Sequence, residues 1–317
     1  MINPKDITVI VPVFNEENNL NLLYNRLKTV LLNISKSHQI LFVNDGSTDK
    51  SLAMITKIHQ NDDSVCYINF TRNFGHQIAV SAGLEYSNAK AVVIIDADLQ
   101  DPPELITKLY TQYKNGFDVV YAKRNKRKGE SFAKKITARV FYRIFKRWVA
   151  FEMPLDAGDY RLISNKVVKA LNTMPEQNKF IRGQIAWLGF KQTQVLYNRD
   201  SRQYGKSAYT YSKMFRLALD GITGFSDKPL LFVSRLGFII SIFSFLIILY
   251  AIFSHFFLKQ TITGWTSLII SSAFIGGIQL LSIGIIGEYI SRINSNSKQR
   301  PLYIVDSATI EKPKTLS

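Results

Sequence analysis

Short apolar runs alternate with amphipathic segments along the first 125 residues. Apolar runs of the strand type cover residues 7–14, 39–44, 65–70, 91–96 and 118–122, and helical patterns cover residues 17–32, 49–60, 77–87 and 103–114. Continuous apolar strands that alternate with helices are typical of a parallel sheet covered by helices. The pattern therefore predicts an α/β fold.

Two long uncharged segments follow late in the chain. Residues 236–258 contain no Asp, Glu, Lys or Arg, and a second apolar stretch covers about residues 265–286. A helix of this length spans roughly 34 Å, which is enough to cross the hydrocarbon core of a bilayer. Two buried core helices are the alternative interpretation, but such runs seldom occur twice in succession in a soluble core. We expect two transmembrane helices, at about 236–258 and 265–287.

Basic residues flank this pair of segments on its outer sides, namely Lys228, Arg235, Arg292, Lys298 and Arg300. Only Lys259 lies between the two segments. Because Lys and Arg favour the cytoplasmic side, we expect both termini in the cytoplasm. The expected organisation is a cytoplasmic domain over residues 1–228, a membrane domain over 229–292 and a weakly ordered polar tail over 293–317.

The composition of the chain also predicts an anionic partner. The chain carries 40 Lys and Arg against 24 Asp and Glu, a net charge of +16, and such an excess favours nucleic acid, phosphorylated ligands or anionic lipid. A basic amphipathic helix over residues 132–148, and a second candidate over 210–225, are expected to lie on anionic lipid. A helix that covers the domain with a solvated basic face is the alternative. The single cysteine, Cys66, excludes a multi-cysteine metal cluster.

Polar clusters follow four of the predicted strands, at residues 15–17, 44–47, 72–73 and 96–98. Because the carboxyl ends of parallel strands meet at one edge of a sheet, we expect one site rather than four unrelated loops. Carboxylates in this cluster, together with the membrane segments, argue against a nucleic-acid partner. No P-loop, GxGxxG or HExxH motif is present, which argues against a P-loop NTPase, a simple dinucleotide enzyme and a zinc hydrolase.

Asp96 and Asp98 carry the sharpest local signal, since they follow a buried apolar strand as Asp-Ala-Asp. Two such carboxylates suit Mg²⁺ or Mn²⁺, commonly shared with the phosphates of a substrate. The alternative is that both residues only form a turn and cap a helix before Pro102 and Pro103. The apolar strand that leads directly into this pair, Ala-Val-Val-Ile-Ile, favours the metal.

Three motifs carry a family resemblance: Val-Pro-Val-Phe-Asn-Glu-Glu at 11–17, Val-Asn-Asp-Gly-Ser-Thr-Asp at 43–49 and Asp-Ala-Asp-Leu-Gln-Asp-Pro-Pro at 96–103. Further matching stretches lie at 156–161, 180–187 and 202–209. The chain resembles the family 2 glycosyltransferases of GT-A fold, and more narrowly the dolichol-phosphate-mannose-synthase-like enzymes that use a polyprenyl phosphate. The similarity runs over nearly the whole chain. It is greatest to bacterial bactoprenol glucosyltransferases with two C-terminal spans.

The resemblance implies a role for each motif. Residues expected to bind the nucleotide sugar are Pro12, Asn15, Glu17, Asp45, Arg72, Asp96, Asp98 and Gln100. Of these, Asp96 and Asp98 would hold the metal against the donor diphosphate. Residues expected to act in catalysis are Asp156 and Asp159, on the acceptor side, and Arg202 and Lys206, at phosphates. The chain departs from the family at Asn44, where Asp is common, so the nucleoside role passes to Asp45 alone.

The implied reaction is the metal-dependent, inverting transfer of a sugar to undecaprenyl phosphate at the cytoplasmic face of the bacterial inner membrane. Glucose from UDP-glucose is the expected donor group, in cell-envelope or O-antigen glycan assembly, with GDP-mannose or a UDP-aminosugar as alternatives. A processive polysaccharide synthase is a distant alternative, since its Gln-x-x-Arg-Trp motif is not found. Small residues in the second span, at 272–273 and 276–277, would allow close helix packing, so a homo-oligomer stays open.

Overall fold

The structure, a computed structural model, describes residues 4–124, 157–197, 223–253 and 264–313. Its strands are β1 (Lys5–Val13), β2 (His38–Asn44), β3 (Val65–Phe70), β4 (Ala89–Ile94), β5 (Val119–Arg124), β6 (Ala157–Ser164), β7 (Gln192–Tyr197) and β8 (Val305–Ala308). Its main helices are α1 (Leu20–Ile34), α2 (Ser51–Asn61), α3 (His76–Tyr86), α4 (Leu105–Lys114), α5 (Asn165–Asn172), α6 (Ile181–Trp187), α7 (Lys228–Phe253) and α8 (Trp265–Ser297).

All eight strands form one sheet in the order β7-β5-β6-β4-β1-β2-β3-β8. Strands β4, β1, β2 and β3 run parallel, as the alternation of strands and helices predicts, whereas β6 is antiparallel to both β4 and β5. The carboxyl ends of the four parallel strands therefore meet at one edge. This arrangement confirms the predicted α/β fold.

Apolar side chains on both faces explain why the central strands read as continuous apolar runs. Phe42 and Leu41 are neighbours in β2 and are both fully buried, one in each of two core clusters on opposite faces of the sheet. Helix α1 covers one face with Leu20, Leu23 and Leu27, which are spaced three and four residues apart and are also fully buried. The helical spacing of apolar residues thus places α1 on the sheet.

Helices α7 and α8 confirm the two predicted apolar helices. By length and composition, the segments Lys228–Ile247 and Ile270–Ser297 are long and apolar enough to cross a membrane. Large side chains such as Phe238 and Leu280 are about 70 % exposed. Helix α8 continues ten residues beyond the expected end at 287, where its polar last turns include an ion pair between Arg292 and Glu288.

The expectation of a weakly ordered tail over residues 293–317 is wrong for the part that the structure describes, which ends at residue 313. Strand β8 pairs antiparallel with β3 and completes one edge of the sheet. Tyr303 is buried, stacks on Phe70 with ring centroids 4.9 Å apart and donates its hydroxyl proton to Glu85. The tail folds onto the domain because a few apolar side chains, among them Leu302 and Val305, pack against its core. Their spacing is too sparse to stand out in a polar sequence.

Candidate active site

The loops after β1 and β2 hold each other at the carboxyl edge of the sheet. The backbone N–H of Asn15 donates to Ser47 Oγ at 3.0 Å, and Asn15 Oδ1 accepts from the N–H of Thr48 at 2.8 Å. Glu17 Oε2 accepts from the N–H of Lys50 at 2.9 Å. Asn15 and Glu17, two of the predicted nucleotide-sugar residues, thus shape this edge through backbone contacts to the second loop.

Asp45 fixes the loop between β3 and α3. Its carboxylate is buried and accepts hydrogen bonds from the backbone N–H groups of Phe74, at 2.7 Å, and Gly75, at 3.0 Å. Burial raises the pKa of Asp45 above its usual value, although these two bonds oppose the shift. Arg72, in the same loop, lays its guanidinium 4.1 Å from the centre of the Phe74 ring. The structure therefore brings Asp45 and Arg72 together, as predicted, through the backbone of this loop.

Gly46 is required where these two loops touch. Its φ of +64° is in the left-handed region, and a Cβ added to it would lie 2.3 Å from the carbonyl carbon of Arg72. Any other residue would push the Arg72 loop away. The Asp-Gly pair after β2 thus sets the position of two loops at once.

Asp96 and Asp98 lie beyond the end of β4, in the middle of the same edge. Asp98 Oδ1 accepts the N–H of Gln100 at 3.1 Å across a turn in which Leu99 has a φ of +58°. Asp96 Oδ1, by contrast, is buried and accepts no hydrogen bond from the described part of the chain. Burial and the negative charges of neighbouring aspartates raise the pKa of Asp96 to about 6, against the opposing charge of His76.

These features fit a divalent cation. Asp96 Oδ1 lies 3.6 Å from His76 Nε2, which is beyond hydrogen-bonding distance, so its buried charge is only partly compensated and a further cation would compensate it more fully. Carboxylate oxygens are also the ligands that Mg²⁺ and Mn²⁺ prefer. No group of three or more His, Cys, Asp or Glu suited to a metal occurs among the described residues. A cation here would therefore need ligands from a substrate, such as a diphosphate, in addition to Asp96 and Asp98.

Asp159 stands beside Asp96 because of the register between β4 and β6. Ile94 pairs with Arg161 in this antiparallel ladder. Asp159, two residues before Arg161, therefore lies level with Asp96, two residues after Ile94. Arg182 of α6 binds Asp159 through two hydrogen bonds, Nε to Oδ1 at 2.6 Å and the terminal nitrogen to Oδ2 at 2.9 Å. The structure therefore assigns Asp159 an ion pair with Arg182.

His76, the first residue of α3, bridges the two aspartates. Its Nε2 lies 3.3 Å from Asp159 Oδ2 and 3.6 Å from Asp96 Oδ1. Partial burial lowers the pKa of His76, but the hydrogen bond to Asp159 and the charge of Asp96 outweigh this effect and raise it to about 9. Burial has the opposite effect on Asp159 and raises its pKa. The charge of Arg182 outweighs burial and holds the pKa of Asp159 well below its usual value. Two carboxylates and two cations thus form one network.

Other predicted site residues have different placements. Pro12 lies buried inside β1 opposite Val43, so it shapes the strand end and offers no polar side chain to a ligand. Gln100 is partly exposed next to Asp98. Three predicted site residues lie outside the described part of the chain, namely Asp156, Arg202 and Lys206. The predicted basic helix at 132–148 and most of the segment at 210–225 also lie outside it.

The mostly parallel sheet, its acidic edge and the loops joined there are features of a nucleotide-sugar transferase, and comparison with known proteins agrees. The sequence matches the family described as glycosyl transferase family 2 over residues 8–171. The chain belongs to this family and is a glycosyltransferase.

Relatives extend the likeness over nearly the full length. The chain is 46 % identical to the uncharacterized glycosyltransferase YkcC of Bacillus subtilis (strain 168), over 95 % of this chain and 93 % of that protein. It is 38 % identical to the bactoprenol glucosyl transferase of Shigella phage SfV, over 94 % of this chain and 97 % of that protein. Among solved structures, it is similar to S. aureus TarS 1–349 in complex with UDP-GlcNAc, with 17 % identity, a TM-score of 0.48 and coverage of 69 % and 65 % of the two chains.

Proposed function

We propose that this glycosyltransferase moves a sugar from a nucleotide sugar to a polyprenyl phosphate, with glucose from UDP-glucose as the donor group. The observation that carries the proposal is the 38 % identity to a bactoprenol glucosyl transferase over 94 % of the chain. That likeness runs through the sheet, the acidic edge and both apolar helices, so it concerns more than the sugar-transferring domain. GDP-mannose and a UDP-aminosugar are alternative donors.

The donor is proposed to bind across the carboxyl edge of the parallel strands. The joined loops around Asn15, Asp45 and Arg72 would hold the nucleoside, and Asp96 and Asp98 would lie at the diphosphate. Support comes from the buried oxygen of Asp96, which accepts no hydrogen bond from the described residues. Mg²⁺ or Mn²⁺ bound by these two aspartates would offset the negative charge that develops on the departing diphosphate.

Chemistry at the acceptor needs little help from a general base, because a phosphate oxygen is already anionic near neutral pH. The demanding task is to bring an anionic acceptor to an anionic donor and to align them for displacement. His76 and Arg182 place two cations around Asp159 at this edge. We propose that this network shapes the wall beside the reacting sugar and that a single displacement inverts the anomeric carbon. Arg202 and Lys206 remain the candidates for phosphate contacts.

The tail also supports a membrane arrangement for the two apolar helices. Helices α7 and α8 are proposed to cross the bacterial inner membrane as a hairpin, with the acceptor phosphate at the cytoplasmic surface. Because β8 follows α8 and pairs with β3, the chain on both sides of the hairpin belongs to one sheet. This shared sheet supports a topology in which both termini lie on the same side of the membrane, and the flanking basic residues favour the cytoplasm.

The test is sugar transfer by the purified full-length protein in lipid nanodiscs that contain undecaprenyl phosphate. Radiolabelled UDP-glucose, GDP-mannose and UDP-N-acetylglucosamine are supplied separately with Mg²⁺ or Mn²⁺. We expect label in the lipid fraction with UDP-glucose, and none when undecaprenol replaces undecaprenyl phosphate. Label transferred only to water-soluble acceptors would contradict the proposal.

A further inference from the structure

A continuous chain of hydrogen bonds runs from the tail to the first loop of the site. Asn69 Nδ2 donates to Asp306 Oδ2 at 2.9 Å, and Asn44 Nδ2 donates to Asn69 Oδ1 at 2.7 Å. Ser47 Oγ donates to Asn44 Oδ1 at 2.6 Å and accepts the backbone N–H of Asn15 at 3.0 Å. This series of hydrogen bonds crosses the carboxyl ends of β3, β2 and β1 in turn. In each hydrogen bond the donor is on the side of Asn15 and the acceptor is on the side of Asp306.

The direction of this chain is set at its tail end. Asn44 and Asn69 are only 1 % and 6 % exposed, so each amide must find partners inside the protein. An amide can present either its oxygen or its nitrogen to a neighbour, whereas a carboxylate can only accept. Asp306 therefore forces Asn69 to donate toward the tail, which leaves Asn69 Oδ1 facing Asn44 and Asn44 Oδ1 facing Ser47.

A second contact reaches the neighbouring loop from behind. The backbone N–H of Thr71 donates to the carbonyl oxygen of Ile304 at 3.1 Å. Tyr303 stacks on Phe70, and Phe70 meets the edge of Phe74 with ring centroids 5.7 Å apart. The Arg72 loop thus rests on the tail through both backbone and aromatic contacts.

We propose that the tail, residues 302–309, is part of the donor-site scaffold and that Asp306 is a positioning residue for the nucleotide. This inference rests on the proposed function, since it assumes that the loops around Asn15 and Arg72 bind the donor. Asp306 acts through Asn69 and Asn44 and does not itself touch the nucleotide. Since only residues 298–304 separate α8 from β8, the order of the donor site depends on a segment anchored next to the membrane helices.

The test compares three variants of the full-length protein in detergent. Asp306→Ala removes the terminal acceptor, Asp306→Asn keeps an oxygen for Asn69, and Glu311→Ala removes one negative charge from an exposed position farther along the tail. UDP binding is measured by calorimetry with Mg²⁺, and hydrogen–deuterium exchange is followed in peptides over residues 44–50 and 70–76. A melting curve for each variant shows whether it folds.

We expect Asp306→Ala to weaken UDP binding about three- to tenfold, which corresponds to one lost hydrogen bond, and to speed exchange in both peptides. Glu311→Ala should behave as wild type. Asp306→Asn should fall between wild type and Asp306→Ala, because its amide can still accept from Asn69 but no longer fixes the direction of the hydrogen bonds. The KM for undecaprenyl phosphate should not change in any variant. Wild-type UDP affinity in a folded Asp306→Ala protein would overturn the inference and leave the proposed function intact. If the wild-type protein bound neither UDP nor GDP, the proposed function would fall and the donor-site role of the tail with it, whatever the exchange data showed about the loops.

Discussion

The pair formed by Arg182 and Asp159 offers the clearest single perturbation. Arg182→Ala would leave the Asp159 carboxylate, whose side chain is 12 % exposed, without its two guanidinium hydrogen bonds. Asp159 also lies level with Asp96, so in this variant its negative charge would lie near that of a second carboxylate. Of the two cations of this network, His76 would then remain, shared by both aspartates. The variant should therefore lose stability mainly because one buried negative charge is left uncompensated.

The size of this loss follows from the burial of the pair. Removing one partner of a fully buried ion pair costs about 3–5 kcal/mol. Because the side chain of Arg182 is 27 % exposed, water compensates part of the charge, and we expect a loss of about 2–3 kcal/mol. Asp159→Asn in the Arg182→Ala background removes the uncompensated charge, so the double variant should be more stable than Arg182→Ala alone.

The assay is thermal unfolding of the four proteins of this cycle in one detergent, with UDP-glucose transfer measured in parallel. Arg182→Lys serves as a further control, since it keeps the charge but loses the paired geometry of the guanidinium group, and it should fall between wild type and Arg182→Ala. If the double variant melts at or below the temperature of Arg182→Ala, the uncompensated charge is not the cause, and this explanation of the pair is refuted.

Three further outcomes test other parts of the account. Asp98→Asn should reduce sugar transfer by about a hundredfold or more while the melting temperature changes little, because in the proposed donor site this loop carboxylate contributes charge at the diphosphate and little packing; full turnover in excess chelator would contradict the proposed metal role. Gly46→Ala should destabilise the protein by more than 1 kcal/mol, a rough figure for a strained backbone position, because its Cβ would meet the backbone of Arg72 at 2.3 Å. Gly189→Ala is its control, since Gly189 has a similar φ of +70° but no atom within 4 Å of the added Cβ, and equal losses in both would argue against loop contact as the cause. A reporter fused after Ser317 should be active only in the cytoplasm, and activity confined to the periplasm would overturn the hairpin topology.

The central strands were predictable from the sequence because burial on both faces leaves an unbroken apolar run. The run at 65–70 coincides with β3, and the run at 39–44 misses only the first residue of β2. Strand β6 was not predicted, because Asp159 and Arg161 interrupt its apolar pattern. Their burial depends on partners distant in sequence or on backbone carbonyls, such as the carbonyl of Gly158, which accepts from Arg161 at 2.8 Å.

Some of the candidate site residues could likewise be predicted from the sequence, and others could not. Asp96 and Asp98 could be predicted from their position after an apolar strand, since topology alone brings strand ends to one edge. His76 and Arg182 could not be assigned, because they are 106 residues apart (182 − 76) and meet only through Asp159. The matching stretch at 180–187 contained Arg182, and that was the signal available. The sequence departs from the family pattern at Asn44, and the structure gives a physical reason for an amide there: its side chain donates a hydrogen bond to Asn69.

Sugar transfer to a lipid phosphate is the central claim, and the chemical identity of the product tests it most directly. The full-length protein is incubated with UDP-glucose, undecaprenyl phosphate and Mg²⁺ or Mn²⁺, and the extracted lipid is analysed by mass spectrometry and by the configuration of the new glycosidic bond. We expect undecaprenyl phosphate that carries a single β-linked glucose with the wild-type protein, and its loss with Asp96→Asn. Unmodified undecaprenyl phosphate in both reactions and with every donor tested, while the wild-type protein remains folded, would contradict the account.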